Sequence, residues 1–215
     1  MRQKHLVLLL AGLCIAFGCG PSGSVTPKAD TTIIHNGGEY NEVLARLQKS
    51  TQEPLVKYVK GEPLAGKDLV ALEKAEPEIR GLVAFNPQGF GPHVLLAQCL
   101  RAQGKIDEAL TSFETAVIQA PENLGPDEKG IVANCFSEIS SIHYQKRQLD
   151  MADKAIRDAL LLRPESPVFL TAQARIQIEL NQLDKAKENI AKAKKLDPTD
   201  PAIKQLEDFI SKEPA

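Results

Sequence analysis

The residues of this 215-residue chain able to bind a metal or attack an electrophile are four histidines, four cysteines and scattered carboxylates such as Asp107–Glu108. His5 falls in a leading apolar run and His35 in a polar stretch. His93 and His143 fall in separate amphipathic segments, with no cysteine or carboxylate at metal-ligand spacing. They read as packing or surface histidines. Asp107–Glu108 opens a helical stretch, where capping and solvation account for it. No glycine-rich phosphate loop, nucleophile elbow or zinc spacing occurs. This set predicts no catalytic site, no metal and no cofactor.

The elements that would position these residues are helical. Leu96, Ala97 and Leu100 precede a turn at Gly104, and Ala109, Phe113 and Ala116 follow it before Pro121. Three-and-four spacing places each set on one helix stripe. Alanine lets a neighbouring helix approach, phenylalanine fills the gap, and proline cannot continue the helix. The frame recurs as Ala152, Ile156, Ala159, Pro164 and as Ala186, Ile190, Ala193, Pro198. The turn recurs as Ile106-Asp107, Leu149-Asp150 and Leu183-Asp184, each aspartate expected as an N-cap. Pro87 to Pro121 and Pro164 to Pro198 are each 34 residues apart. A helix–turn–helix period of this length with this pattern resembles the tetratricopeptide repeat family. The resemblance implies an all-α, TPR-like helix–turn–helix solenoid. Aromatic residues at 5% and the absence of tryptophan suit alanine-rich helix packing, and a net charge of −2 without a basic stripe argues against nucleic acid.

The N-terminus has a different character. Arg2 and Lys4 precede an apolar run from Leu6 to Phe17. About 20 residues are needed to span a bilayer, so the run reads as a secretory signal. Ala16-Phe17-Gly18-Cys19 is similar to the lipobox of bacterial lipoproteins, with alanine where that family prefers leucine and phenylalanine where it prefers a smaller residue. The resemblance implies lipidation of Cys19; ordinary signal cleavage nearby is the alternative. Removing residues 1–18 leaves 24 basic and 28 acidic side chains, so a membrane anchor would depend on lipid rather than charge.

The expected organisation is a signal peptide at 1–18, a flexible tether at 19–38 and a helical N-terminal cap or degenerate repeat at 39–88. Repeats follow at 89–122, 133–166 and 167–200, with an inserted loop at 123–132 and a capping helix at 201–215. The tether would reach about 25 Å. In the cap, Pro54, Pro63 and Pro77 are expected to divide short helical pieces, with Leu69, Leu72, Ala75 and Ile79 on one face. Gln173 stands where the family usually has leucine, and Arg147 and Asn181 replace the turn glycine.

By resemblance, the first helices line a concave groove through Val94, Gln98, Arg101, Ser137, Ser141, Tyr144, Thr171, Arg175 and Ile178. This polar, weakly basic floor suits an extended peptide or partner helix. Val94 and Gln98 stand where a chaperone-tail carboxylate clamp needs lysine and asparagine, which disfavours that partner. Export would expose Cys99 and Cys135 to oxidation. Their frames set them about 10 Å apart along the helix axis, beyond disulfide reach, so buried free thiols are expected. The function read from the chain is a non-catalytic, lipid-anchored protein-interaction module of the cell envelope, with no small-molecule substrate. The alternative is a soluble exported subunit whose solenoid face is buried in a permanent oligomer.

Overall fold

The computed structural model describes residues 36–211, among which lie nine α-helices and no strand. Cys19, His5, His35, the signal segment and most of the tether lie outside the described residues. The helices are α1 (Gly37–Val59), α2 (Gly66–Phe85), α3 (Phe90–Ala102), α4 (Ile106–Ile118), α5 (Pro126–Gln145), α6 (Leu149–Leu162), α7 (Pro167–Glu179), α8 (Leu183–Leu196) and α9 (Pro201–Ile210). Successive helices pack as antiparallel hairpins, and each hairpin leans on the next, giving an all-α solenoid.

The repeat frame forms the core. Ala109, Phe113 and Ala116, Ala152, Ile156 and Ala159, and Ala186, Ile190 and Ala193 are all buried. The hairpin turns of the three repeats use one backbone device. Gly104, Arg147 and Asn181 take φ values of 77°, 59° and 58°. The amide of the following residue then bonds five residues back: Lys105 to Leu100, Gln148 to His143 and Gln182 to Gln177, at 2.9, 2.9 and 2.8 Å. This closes the last turn of the first helix by a left-handed residue.

The turn corrects one expectation. The N-cap positions are Lys105, Gln148 and Gln182, and none caps through its side chain. Asp107, Asp150 and Asp184 are the second residues of α4, α6 and α8. A left-handed residue and one linker leave no room for an extended aspartate ahead of the helix. The carboxylates instead sit in the first turn, where the helix dipole favours negative charge; Asp107 also pairs with Lys146. Side-chain caps occur in the longer links ahead of α7 and α9, where Ser166 and Asp200 accept from the amides of Phe169 and Ala202, and ahead of α1, where Asn36 accepts from that of Glu39.

The N-terminal segment is more regular than its prolines suggest. Pro54 lies inside α1 and Pro77 inside α2, so neither divides the chain; only Pro63 stands between helices. Val43, Leu47, Leu72, Ala75, Ile79 and Leu82 are buried, whereas Leu69 is exposed. The inserted residues also differ from expectation. Helix α5 starts at Pro126 and runs 20 residues, so most of the segment foreseen as loop lengthens a helix instead. Pro126 at the first helical position and acidic Asp127 and Glu128 behind it favour this start.

Candidate partner-binding surface

The first helices of the hairpins do not offer equal surface. Helix α1, 23 residues long, lies over α3 as well as α2. Tyr40, Leu44 and Leu55 join the apolar cluster that holds Leu95, Leu96 and Leu100. Consequently Val94 and Arg101 are buried, at 9% and 8% exposure, and Gln98 is the one exposed member of the predicted set on α3. Arg101 is occupied: its guanidinium reaches Glu138, Gln145 and Ser141 of α5 at 3.4, 3.3 and 3.4 Å. It ties two first helices together rather than opening toward a ligand.

On α5, Ser137, Ser141 and Tyr144 are half-buried, and Tyr144 donates its hydroxyl hydrogen to Glu179 of α7 at 3.1 Å. Arg147 pairs with the same carboxylate at 3.0 Å, which holds Glu179 below the usual carboxylate range. On α7, Thr171 is buried and donates to Pro167 and Val168 of its own helix. Ile178 is half-buried, and Arg175 is exposed with no hydrogen bond or ion pair to a described residue. The open part of the face is therefore Gln98 on α3 and, on α5 and α7, the larger strip of Ser137, Ser141, Tyr144, Arg175 and Ile178. Asn134 and Val168 join it by position: each is exposed and precedes a predicted residue by three, on the same helix face. That spacing could have identified both from sequence.

The groups with catalytic potential are engaged in structure. The ring of His93 bonds the carbonyl of Pro87 at 2.9 Å, and that of His143 bonds the Gln148 amide oxygen at 2.8 Å. Cys99 and Cys135 are free and buried, as expected, and burial pushes both thiols up to about 12. Among the described residues no group of three or more potential ligands could hold a metal, and no helix is long and apolar enough to cross a membrane. Gln173, which replaces an expected leucine, is buried with Gln177 and Asn189. The Asn189 amide donates to both glutamine oxygens at 2.9 Å, so the polar substitution is satisfied inside the third hairpin.

Residues 169–200 match the family described as tetratricopeptide repeat. A search of curated proteins finds no match. Similar solved structures include the APC/C hetero-tetramer Cut9–Hcn1, 14% identical with a TM-score of 0.58, over 80% of this chain and 33% of that one. This chain thus spans about a third of that relative's length. Two structures of MamA are each 15% identical, with TM-scores of 0.55 and 0.57. They cover 70% and 80% of this chain and 91% and 88% of theirs. Identities this low speak to the fold alone. Residues 169–200 match a tetratricopeptide repeat and the same turn and core frame occurs in the two hairpins before it, so the chain is an all-α helical solenoid similar in fold to tetratricopeptide repeat proteins.

Proposed function

We propose that this chain is a non-catalytic protein-interaction module that holds an extended peptide or partner helix against α5 and α7, and that it is exported and anchored by a lipid on Cys19. The observation that carries the binding role is the open strip on these helices, where Arg175 is an exposed cation without an ion-pair partner among the described residues. Such a strip supplies one charge-assisted contact, side-chain hydroxyls from Ser137 and Ser141, and an aromatic body from Tyr144. An acidic side chain or chain terminus on the peptide would complement Arg175. The anchor rests on the leading sequence, in which Arg2 and Lys4, the apolar run and Gly18-Cys19 occur in the order that export and lipidation require. Two acyl chains would hold the protein stably at a membrane.

Two experiments test the two parts. A photocrosslinking residue at Ser137 or Arg175, in the native cell, should trap a partner that the same residue at exposed Thr111 on α4 does not. Equal trapping from both would refute the groove. Mass analysis of the mature N-terminus should show an acylated Cys19, lost in Cys19→Ala; an unmodified N-terminus near residue 20 would refute the anchor.

A further inference from the structure

A second surface lies at the far end of the array, away from the groove. Between α8 and α9 runs a cleft of about 560 Å³, lined by Lys187, Ile190, Ala191, Lys194, Glu207 and Ile210 among others. The repeat period explains its origin. A shift of 34 residues sets Asp153, Ile156, Leu160 and Ile176 of the preceding repeat onto Lys187, Ile190, Lys194 and Ile210. In that preceding repeat the positions are covered: Ile156 and Ile176 are buried, and Leu160 packs against the cluster that α7 and α8 build. At this end Ile190 is buried like Ile156, but Lys187, Ala191 and Lys194 are exposed and Ile210 is half-covered. The cleft occupies the place that the second helix of a further repeat would fill; among the described residues α9 supplies only the first helix of such a repeat.

The side chains at the rim select the occupant. Where the internal repeat has an aspartate and a leucine, the terminal one has lysines. Lys194 is paired with Glu207 at 2.9 Å. Lys187 and Lys195 have no hydrogen bond or ion pair to a described residue. A second copy of the chain fits poorly, because the exposed Val56 and Val59 of its α1 are flanked by Lys49 and Lys60, which would face lysines. We propose that this cleft docks an amphipathic helix of a partner protein, its apolar stripe on Ala191 and Ile210 and its acidic flank against Lys187 and Lys195. The site is independent of the groove on α5 and α7, so either can fail without the other.

The probe for a test is a stapled, fluorescent peptide with the sequence of α8 in which all five lysines are glutamate; the control keeps the lysines. Anisotropy with the full chain should show saturable binding of the glutamate probe and at least tenfold weaker binding of the control. Lys187→Glu with Lys195→Glu, both exposed, should reverse that preference, and Ala191→Trp should block both peptides, with unchanged circular dichroism. Arg175→Glu should leave probe binding as it was. Equal affinity for the two peptides, or binding that survives the lysine reversals, overturns the proposal. So does an oligomer, seen by sedimentation, that dissociates in the lysine variants, since a second copy would then be the occupant. Binding seen only after deletion of residues 212–215 also overturns it, because the chain's own end would then fill the cleft.

Discussion

Gly104→Ala isolates the energetics of the hairpin turn. Gly104 has φ of 77°, and a Cβ placed there would meet nothing within 4 Å. Alanine would therefore neither clash nor gain a contact, and its effect comes from the left-handed backbone alone. That conformation costs an L-residue roughly 1–2 kcal/mol, and the stiffer unfolded chain returns about 0.4–1 kcal/mol. The net loss is about 1 kcal/mol, or about 2–4 °C in Tm for a chain of this size. Thermal and urea unfolding followed by far-UV circular dichroism would measure it. Arg147→Gly, at the same position of the next repeat, is the control of opposite sense. It relieves the strained backbone, but it loosens the unfolded chain and gives up the exposed pair with Glu179. It should shift the midpoint less than Gly104→Ala. An unchanged or raised Tm in Gly104→Ala would refute the reasoning, as would an equal loss in Arg147→Gly.

Asn189→Ala removes the donor shared by Gln173 and Gln177. Leaving their oxygens buried without it should cost about 1–3 kcal/mol, read from the urea midpoint, while Asn189→Gln keeps an amide and should cost less. Burial raises the carboxyl of Glu114, with His143 and Lys146 partly offsetting it. A carboxyl raised in the folded state binds its proton more tightly there, so its contribution is most favourable at acid pH and is lost as pH rises through the folded value. Glu114→Gln should therefore stabilise the chain near pH 7 and make no difference below the ordinary glutamate range; matched urea titrations at the two pH values check the sign. Cys99 and Cys135, pushed up to about 12, carry almost no thiolate at neutral pH. A chromogenic disulfide reagent should label neither in the native protein and both once it is unfolded.

Most of the fold was legible because its signal is periodic. The frame of an alanine, a large apolar residue and an alanine, with its stopping prolines, marks the buried stripe of α4, α6 and α8, and each of those marked stripe residues is buried. Three features were less legible, each for a physical reason. Pro54 and Pro77 read as breaks, since proline removes a donor, yet α1 and α2 continue through both because packing along their buried faces outweighs one lost bond. Composition marked 123–132 as loop, but a proline at the first position followed by acids is also a helix start, and α5 uses it so. Part of the groove was misplaced for a tertiary reason. Val94 and Arg101 keep the spacing of a concave face, but nothing local to α3 reports that α1 lies across it. Thr171 likewise has the position of a groove residue, and its hydroxyl bonds its own helix.

The breadth of α1 also has a mechanical meaning. The described chain enters the fold at Asn36, directly ahead of this helix, so a pull from the N-terminal side is delivered to α1 first. The load would be shared along 23 residues, between the apolar contacts with α2 and α3 and the ion pairs of Arg46 with Glu78 and Lys57 with Asp68. At the opposite end, the 10 residues of α9 are held by Ile203 and Leu206 and by one ion pair from Glu207. Stretched from its N-terminal side, the solenoid meets force with its most broadly fastened helix and leaves its weakest joint slack.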